Sequence, residues 1–227
     1  YLTEALPLSD AVELSPEFYV YGLLSGEPTT YEAYCWQGET LMTSDWMIWT
    51  WTPVWERIYR FNTVLEYLDE VVQTTAAVHD QVEGEARFGR AYYHFMLLTQ
   101  YCLWDEDKPG IGYRDNAKAG EIPGRETVGY TLEHIYEDLR LAEEALTRAG
   151  RTTFDQTRNF RPTVPTVQAF RARVALYRGD YELALANATE ALKAHHVLVD
   201  FKNEPEYELE EWSWISVLDE EGEPVDE

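Results

Sequence analysis

Two stretches of this chain repeat the same apolar spacing, and that spacing restricts the fold more than any other feature. Val54, Ile58, Phe61, Leu65, Leu68 and Val72 recur at +4, +3, +4, +3, +4, and so do Val128, Leu132, Ile135, Leu139, Ala142 and Leu146. With 3.6 residues per turn, such a series lines one face of an α-helix and leaves the other polar. Thr52-Pro53 and Thr127 stand where helix starts belong, and Gly150 where a left-handed stop belongs.

A helix over roughly 80–103 lies between these two. Ala86, Tyr93, Leu97 and Tyr101 mark one side of it, and Ala91, Phe95, Leu98 and Cys102 an adjoining one. An apolar arc this wide predicts two covering neighbours. Gly84 and Gly89 inside it each cost about 1 kcal/mol against Ala, which close helix–helix approach would offset. Thr166 is read as the start of the next helix, with Val167, Phe170, Val174 and Tyr177 inward. Gly179-Asp180 breaks it, and Tyr181, Ala184, Leu185, Ala188, Ala191 and Leu192 form a last helix. Small alanines at the crossing and a tyrosine before the turn fit a tetratricopeptide (TPR) hairpin. The expected fold is all-α, built of antiparallel helical hairpins.

The flanks are less regular. Ser15-Pro16-Glu17 reads as the start of a short helix over 16–24, and five of the eight Trp fall between Trp36 and Trp55. Residues 104–125 carry Pro109, Gly110, Gly112, Gly120, Pro123 and Gly124, a loop long enough to expect function or disorder. The stretch 203–227 has eleven acids and no Lys or Arg, which divides the chain into a helical domain at 1–202 and an acidic extension at 203–227.

Composition excludes some functions. The net charge is −24, and the 18 basic residues include only four lysines. Such a chain is a poor ligand for nucleic acid or anionic lipid. No run of roughly 18 apolar residues offers a membrane helix. Cys35 and Cys102 form no CxxC motif and read as idle thiols.

A search for chemistry finds no H-E-x-x-H, G-x-S-x-G, phosphate-binding glycine loop or Glu-x-x-His pair, so no cofactor or metal is expected. His134 and Glu137 read as a surface polar pair, and Arg87 as the i+4 partner of Glu83. Asn187-Ala188-Thr189 is a glycosylation sequon by spelling, but it falls inside a packed helix. What remains is aromatic. Asp45, Trp46 and Trp49 lie in Ser44–Trp51, where indole faces alternate with polar groups. A sugar offers a C–H face for stacking and a rim of hydroxyls for hydrogen bonds. Trp104 and Tyr113, in the long loop, are the further candidates for ligand contact.

Several motifs occur in a telling order. Trp55-x2-Ile58-Tyr59-x2-Asn62 comes first, followed by Glu83-Gly84-Glu85-Ala86-Arg87-Phe88-x-Arg90-Ala91-Tyr92-Tyr93-x-Phe95-x-Leu97. Arg125-x-Thr127-Val128 and Tyr136-x-Asp138-Leu139-x2-Ala142 come next, then Pro165-Thr166-Val167-x-Ala169 and Leu176-Tyr177-x-Gly179-Asp180-Tyr181. Over residues 15–200 the chain resembles the SusD/RagB family of outer-membrane lipoproteins. The resemblance implies a non-enzymatic, surface-exposed, lipid-anchored protein with TPR helices. Its implied role is to capture glycans, or sometimes peptides, and deliver them to a SusC-like TonB-dependent transporter. It also maps the family's ligand side onto Thr43–Thr50.

Three features depart from the family pattern. The sequence opens at Tyr1 with no lipid-bearing cysteine, so an export signal is expected to have been removed. Tyr101-Cys102-Leu103-Trp104 stands where a Y-G-x-x-P-like run is usual. The acidic extension occupies the place of a C-terminal half. Two other readings compete: a generic TPR adaptor for a peptide or protein, and an α-helical glycosidase with a carboxylate pair.

Overall fold

The computed structural model describes residues 51–72, 74–118, 120 and 124–197. The expected helix at 16–24, Asp45, Trp46, Trp49, Cys35 and the acidic extension lie outside the described residues. Among the described residues five α-helices follow in order: α1 Thr52–Tyr67, α2 Ala76–Tyr101, α3 Val128–Arg148, α4 Val164–Arg178 and α5 Tyr181–Ala194. Short 3-10 turns at Leu68–Glu70 and Gln156–Arg158 follow α1 and precede α4. Among the described residues there is no strand, only an isolated bridge between Pro109 and Thr127.

The fold is all-α, and each helix packs antiparallel on the one before it. Trp51 meets Tyr101 and Trp55 meets His94, which sets α1 against α2. Arg90 on α2 pairs with Asp138 on α3, and a Cβ on Gly84 would lie 2.6 Å from Leu146 Cγ. Arg171 on α4 reaches back to the Leu139 carbonyl and Glu143 on α3, and forward to Asn187 on α5.

The two spacing series behave differently. All six α3 residues, Val128 through Leu146, are buried. In the other series Val54 and Ile58 are buried within α1 and Leu68 in the 3-10 turn after it, but Val72 stands 95% exposed beyond that turn. The predicted stripe therefore runs one residue too far. The wide arc on α2 is covered on two sides, by α1 and by α3, as its pattern predicts. Both glycines in α2 mark close approaches: Leu146 fills the space at Gly84, and the Phe61 ring lies directly over Gly89.

Side chains at the helix ends account for the boundaries. Thr75, Thr127 and Asp180 accept backbone N–H bonds from Val78, Tyr130 and Leu183. Gly150 and Gly179 take the left-handed conformation, with φ of 72° and 81°. Helix α4 begins at Val164, not at Thr166. Pro165 sits comfortably in the first turn, and the Thr166 hydroxyl accepts the Thr163 backbone N–H at 3.2 Å.

Candidate functional site

At the centre of α1–α3 lies a buried polar cluster formed by Asn62, Arg90, His94, Tyr113, Thr131 and Asp138. Arg90 and Asp138 are its electrostatic core. The guanidinium forms a two-pronged fork on the carboxylate, Nε to Oδ2 at 2.7 Å and Nη2 to Oδ1 at 2.6 Å. Burial works against the Arg90 charge, but the bonds to Asp138 outweigh it and hold the group above its ordinary range. Tyr113 donates its hydroxyl to Asp138 as well. Burial and the nearby carboxylate both push that phenol well above its usual range.

Asn62 uses both amide hydrogens and its carbonyl oxygen here. Its Oδ1 accepts from Arg90 at 2.9 Å, and its amide donates to the carbonyls of Arg114 and Asn116, both at 3.0 Å. His94 is fully buried. Its Nδ1 donates to the Arg90 carbonyl at 2.8 Å, and its Nε2 accepts the backbone N–H of Arg114 at 3.0 Å. A backbone amide only donates, so this pair of bonds fixes the neutral Nδ1–H tautomer. Burial accordingly lowers the ring to about 4.

The cluster acts on the long loop between α2 and α3. Arg90 also donates to the Asp115 carbonyl, Thr131 donates to the Ile111 carbonyl at 2.9 Å, and Glu66 accepts the Ala117 N–H at 3.3 Å. Arg178 of α4 forks onto Glu106, and Arg125 donates to the Gly110 carbonyl. Ile111 is buried among the helices. A loop expected to be functional or disordered is thus stitched to four helices. An alternating chain of ion pairs extends the cluster to the surface, running from Asp138 through Arg87 and Glu83 to Arg148.

The sequence-predicted site residues fall in three places. Asp45, Trp46 and Trp49 lie outside the described residues. Trp104 is half-buried, edge-on to Phe95 and Tyr177 with centroids 6.1 and 5.4 Å away. Tyr113 is packed against His94 with ring centroids 4.2 Å apart, its hydroxyl bound to Asp138. Trp51 touches Tyr101 at 4.9 Å, so the start of α1 meets the end of α2.

Other expectations change partners. His134 donates to the Tyr130 carbonyl and lies tilted against the Tyr130 ring, and Glu137 is taken by Arg140. Arg87 does pair with Glu83 at 2.9 Å. Asn187 is buried and donates to the Leu183 carbonyl. Cys102 is half-buried, and burial pushes its thiol up. Among the described residues no three His, Cys, Asp or Glu side chains are grouped as a metal site requires.

The SusD-like sequence profile, described as "Starch-binding associating with outer membrane", matches residues 22–176. The chain belongs to the SusD-like family. Members of this family are binding proteins, and carbohydrate is what the family's description assigns to them. Solved structures share the fold. A SusD superfamily protein from Bacteroides thetaiotaomicron is 21% identical with a TM-score of 0.57, covering 63% of this chain and 31% of that one. A SusD-like carbohydrate binding protein from Bacteroides vulgatus is 19% identical with a TM-score of 0.59, covering 67% and 32%. Surface glycan-binding protein A from Bacteroides uniformis is 19% identical with a TM-score of 0.55, covering 66% and 32%. The chain therefore spans about a third of the length of these structures. No curated protein matches. No helix among the described residues is long and apolar enough to cross a membrane.

Proposed function

We propose that this chain is part of a non-catalytic protein that captures glycan at the outer-membrane surface and passes it to a SusC-like TonB-dependent transporter. The observation that carries this reading is the family match over 22–176, which takes in both the Trp-rich segment and the polar cluster. Physically, capture needs an aromatic platform on a rigid scaffold and no covalent chemistry. Trp46 and Trp49 supply the platform, Asp45 the hydroxyl-binding rim, and Trp104 a further contact. Tyr113, with its hydroxyl engaged by Asp138, supports the loop from beneath. A lipid anchor on the whole protein would keep it at the membrane.

Titration of soluble starch and defined oligosaccharides into the full-length protein tests this reading. Binding that weakens in Trp46→Ala and Trp49→Ala, with the melting temperature unchanged, is the expected result. Full-length protein that binds no glycan would sink the reading. A second reading, a TPR-type adaptor, is favoured by the exposed apolar stripe Tyr181, Leu185 and Leu192 on α5. Saturable binding of an extended peptide in place of glycan would favour it.

A further inference from the structure

The bonds that hold the long loop have a common character. Asn62 donates to the carbonyls of Arg114 and Asn116, Arg90 donates to the carbonyl of Asp115, and His94 accepts the N–H of Arg114. Glu66 accepts the N–H of Ala117. Every one of these bonds from α1 and α2 grips main chain. These bonds set the path of the loop without engaging the side chains of Arg114–Ala117. The Asp115 side chain is exposed at the crest of the clamped segment, where it accepts an Asn116 amide hydrogen at 3.3 Å. Beside it, the Arg114 guanidinium lies 5.6 Å over the partly exposed Tyr59 ring. Arg114 covers one face of that ring, and the next two residues along the clamped main chain add a carboxylate and an amide, polar groups of the kind a sugar's hydroxyls require.

We propose that Asn62, Arg90 and His94 are positioning residues that clamp Tyr113–Ala117 as a preformed glycan-binding rim, with Asp115 and Tyr59 as its ligand contacts. The ligand half of this inference rests on the glycan-capture reading, whereas the clamp stands without it. Preformation matters because a loop that must be ordered on binding gives up part of its affinity. Fixing the path through main-chain bonds also lets the rim residues differ between proteins, and specificity with them, without loss of the scaffold.

Asn62→Asp separates a clamp from a plain core contact, in the full-length protein. The aspartate still accepts from Arg90 but no longer donates to the two loop carbonyls. Amide hydrogen exchange across 113–117 should rise on the order of tenfold or more, with exchange in α3 unchanged. Affinity for soluble starch should fall on a similar scale. Unchanged loop exchange would overturn the clamp. A loosened loop with unchanged starch affinity would overturn its role in binding.

Asp115→Ala and Tyr59→Ala touch only the rim, so they keep the test open if Asn62→Asp does not fold. Each should weaken starch binding severalfold and leave loop exchange as it was. Full affinity in both would refute the rim. If the unmodified protein binds no glycan, the capture reading fails and the rim with it, while the exchange experiment still decides the clamp.

Discussion

In α3 every residue of the apolar stripe is buried, whereas in α5 Tyr181 and Leu185 remain 71% and 70% exposed although they recur at the same helical spacing. The two helices differ in their neighbours. Helix α3 is covered by α2 on one side and α4 on another, with the long loop over its start, while α5 packs on α4, where Asn187 is buried and Ala184, Ala188 and Ala191 are half-buried. Periodicity therefore identifies which residues share a face, and the number of adjacent elements decides how deeply that face is buried. Polar groups follow the same division. The α1–α3 region encloses a charged fork, and the α4–α5 hairpin is joined by Arg171 and Asn187 at its partly open crossing.

The largest effect should come from the enclosed charge. Asp138→Ala removes the partner of a buried guanidinium and should cost about 3–5 kcal/mol in urea unfolding. A loss below about 1 kcal/mol would mean that water reaches Arg90 and that the two regions differ less than described.

His94 sharpens the contrast through pH. Its folded value is about 4 against an ordinary 6.5, so the unfolded chain takes the proton first. The stability that neutral His94 contributes is complete above pH 6.5 and is lost as pH falls from 6.5 toward 4. Between pH 6.5 and about 5 the loss should be roughly 2 kcal/mol. His94→Gln should remove that part of the slope. The same slope in both proteins would show that the ring is not shielded.

Gly84→Ala places a methyl 2.6 Å from Leu146 Cγ and 3.1 Å from the Ala142 carbonyl oxygen. It should cost about 1–3 kcal/mol despite the better helix propensity of alanine. An unchanged midpoint would mean that α2 and α3 can move apart freely. At the other extreme, Leu185→Ala on open α5 should fall within about 0.5 kcal/mol of the unmodified protein. A loss of 2 kcal/mol or more would reveal a cover over that stripe.

Much of the fold was legible because its determinants are local. The Val128–Leu146 spacing, the Thr127 cap, and Gly150 and Gly179 with positive φ all act within a turn or two of chain. The start of α4 was misplaced because Thr163 and Thr166 both suit a cap, and only the backbone shows which one precedes the first turn. The cluster was legible in its residues but not in its purpose. Asn62, Arg90 and Asp138 stand within the family motifs, yet their partners in the loop and on the other helices lie 25 to 54 residues away and several are main-chain atoms, which carry no sequence signature. Tyr113 illustrates the same limit: an aromatic in a Gly-rich loop suggests an exposed ring, and only the packed position of Asp138 reveals where its hydroxyl goes.

The tight turn at Gly179-Asp180 bears on the order in which the chain acquires its shape. With two residues between them, α4 and α5 meet after a loop closure of nearly minimal entropy, on the timescale of local helix formation. The Arg90–Asp138 fork must bring together groups 48 residues apart and close a long loop over them. Low contact order favours the hairpin as an early structure. The loop cannot take its final path until α1, α2 and α3 are assembled around Arg90, which makes it a late-folding segment and a sensitive reporter of complete assembly.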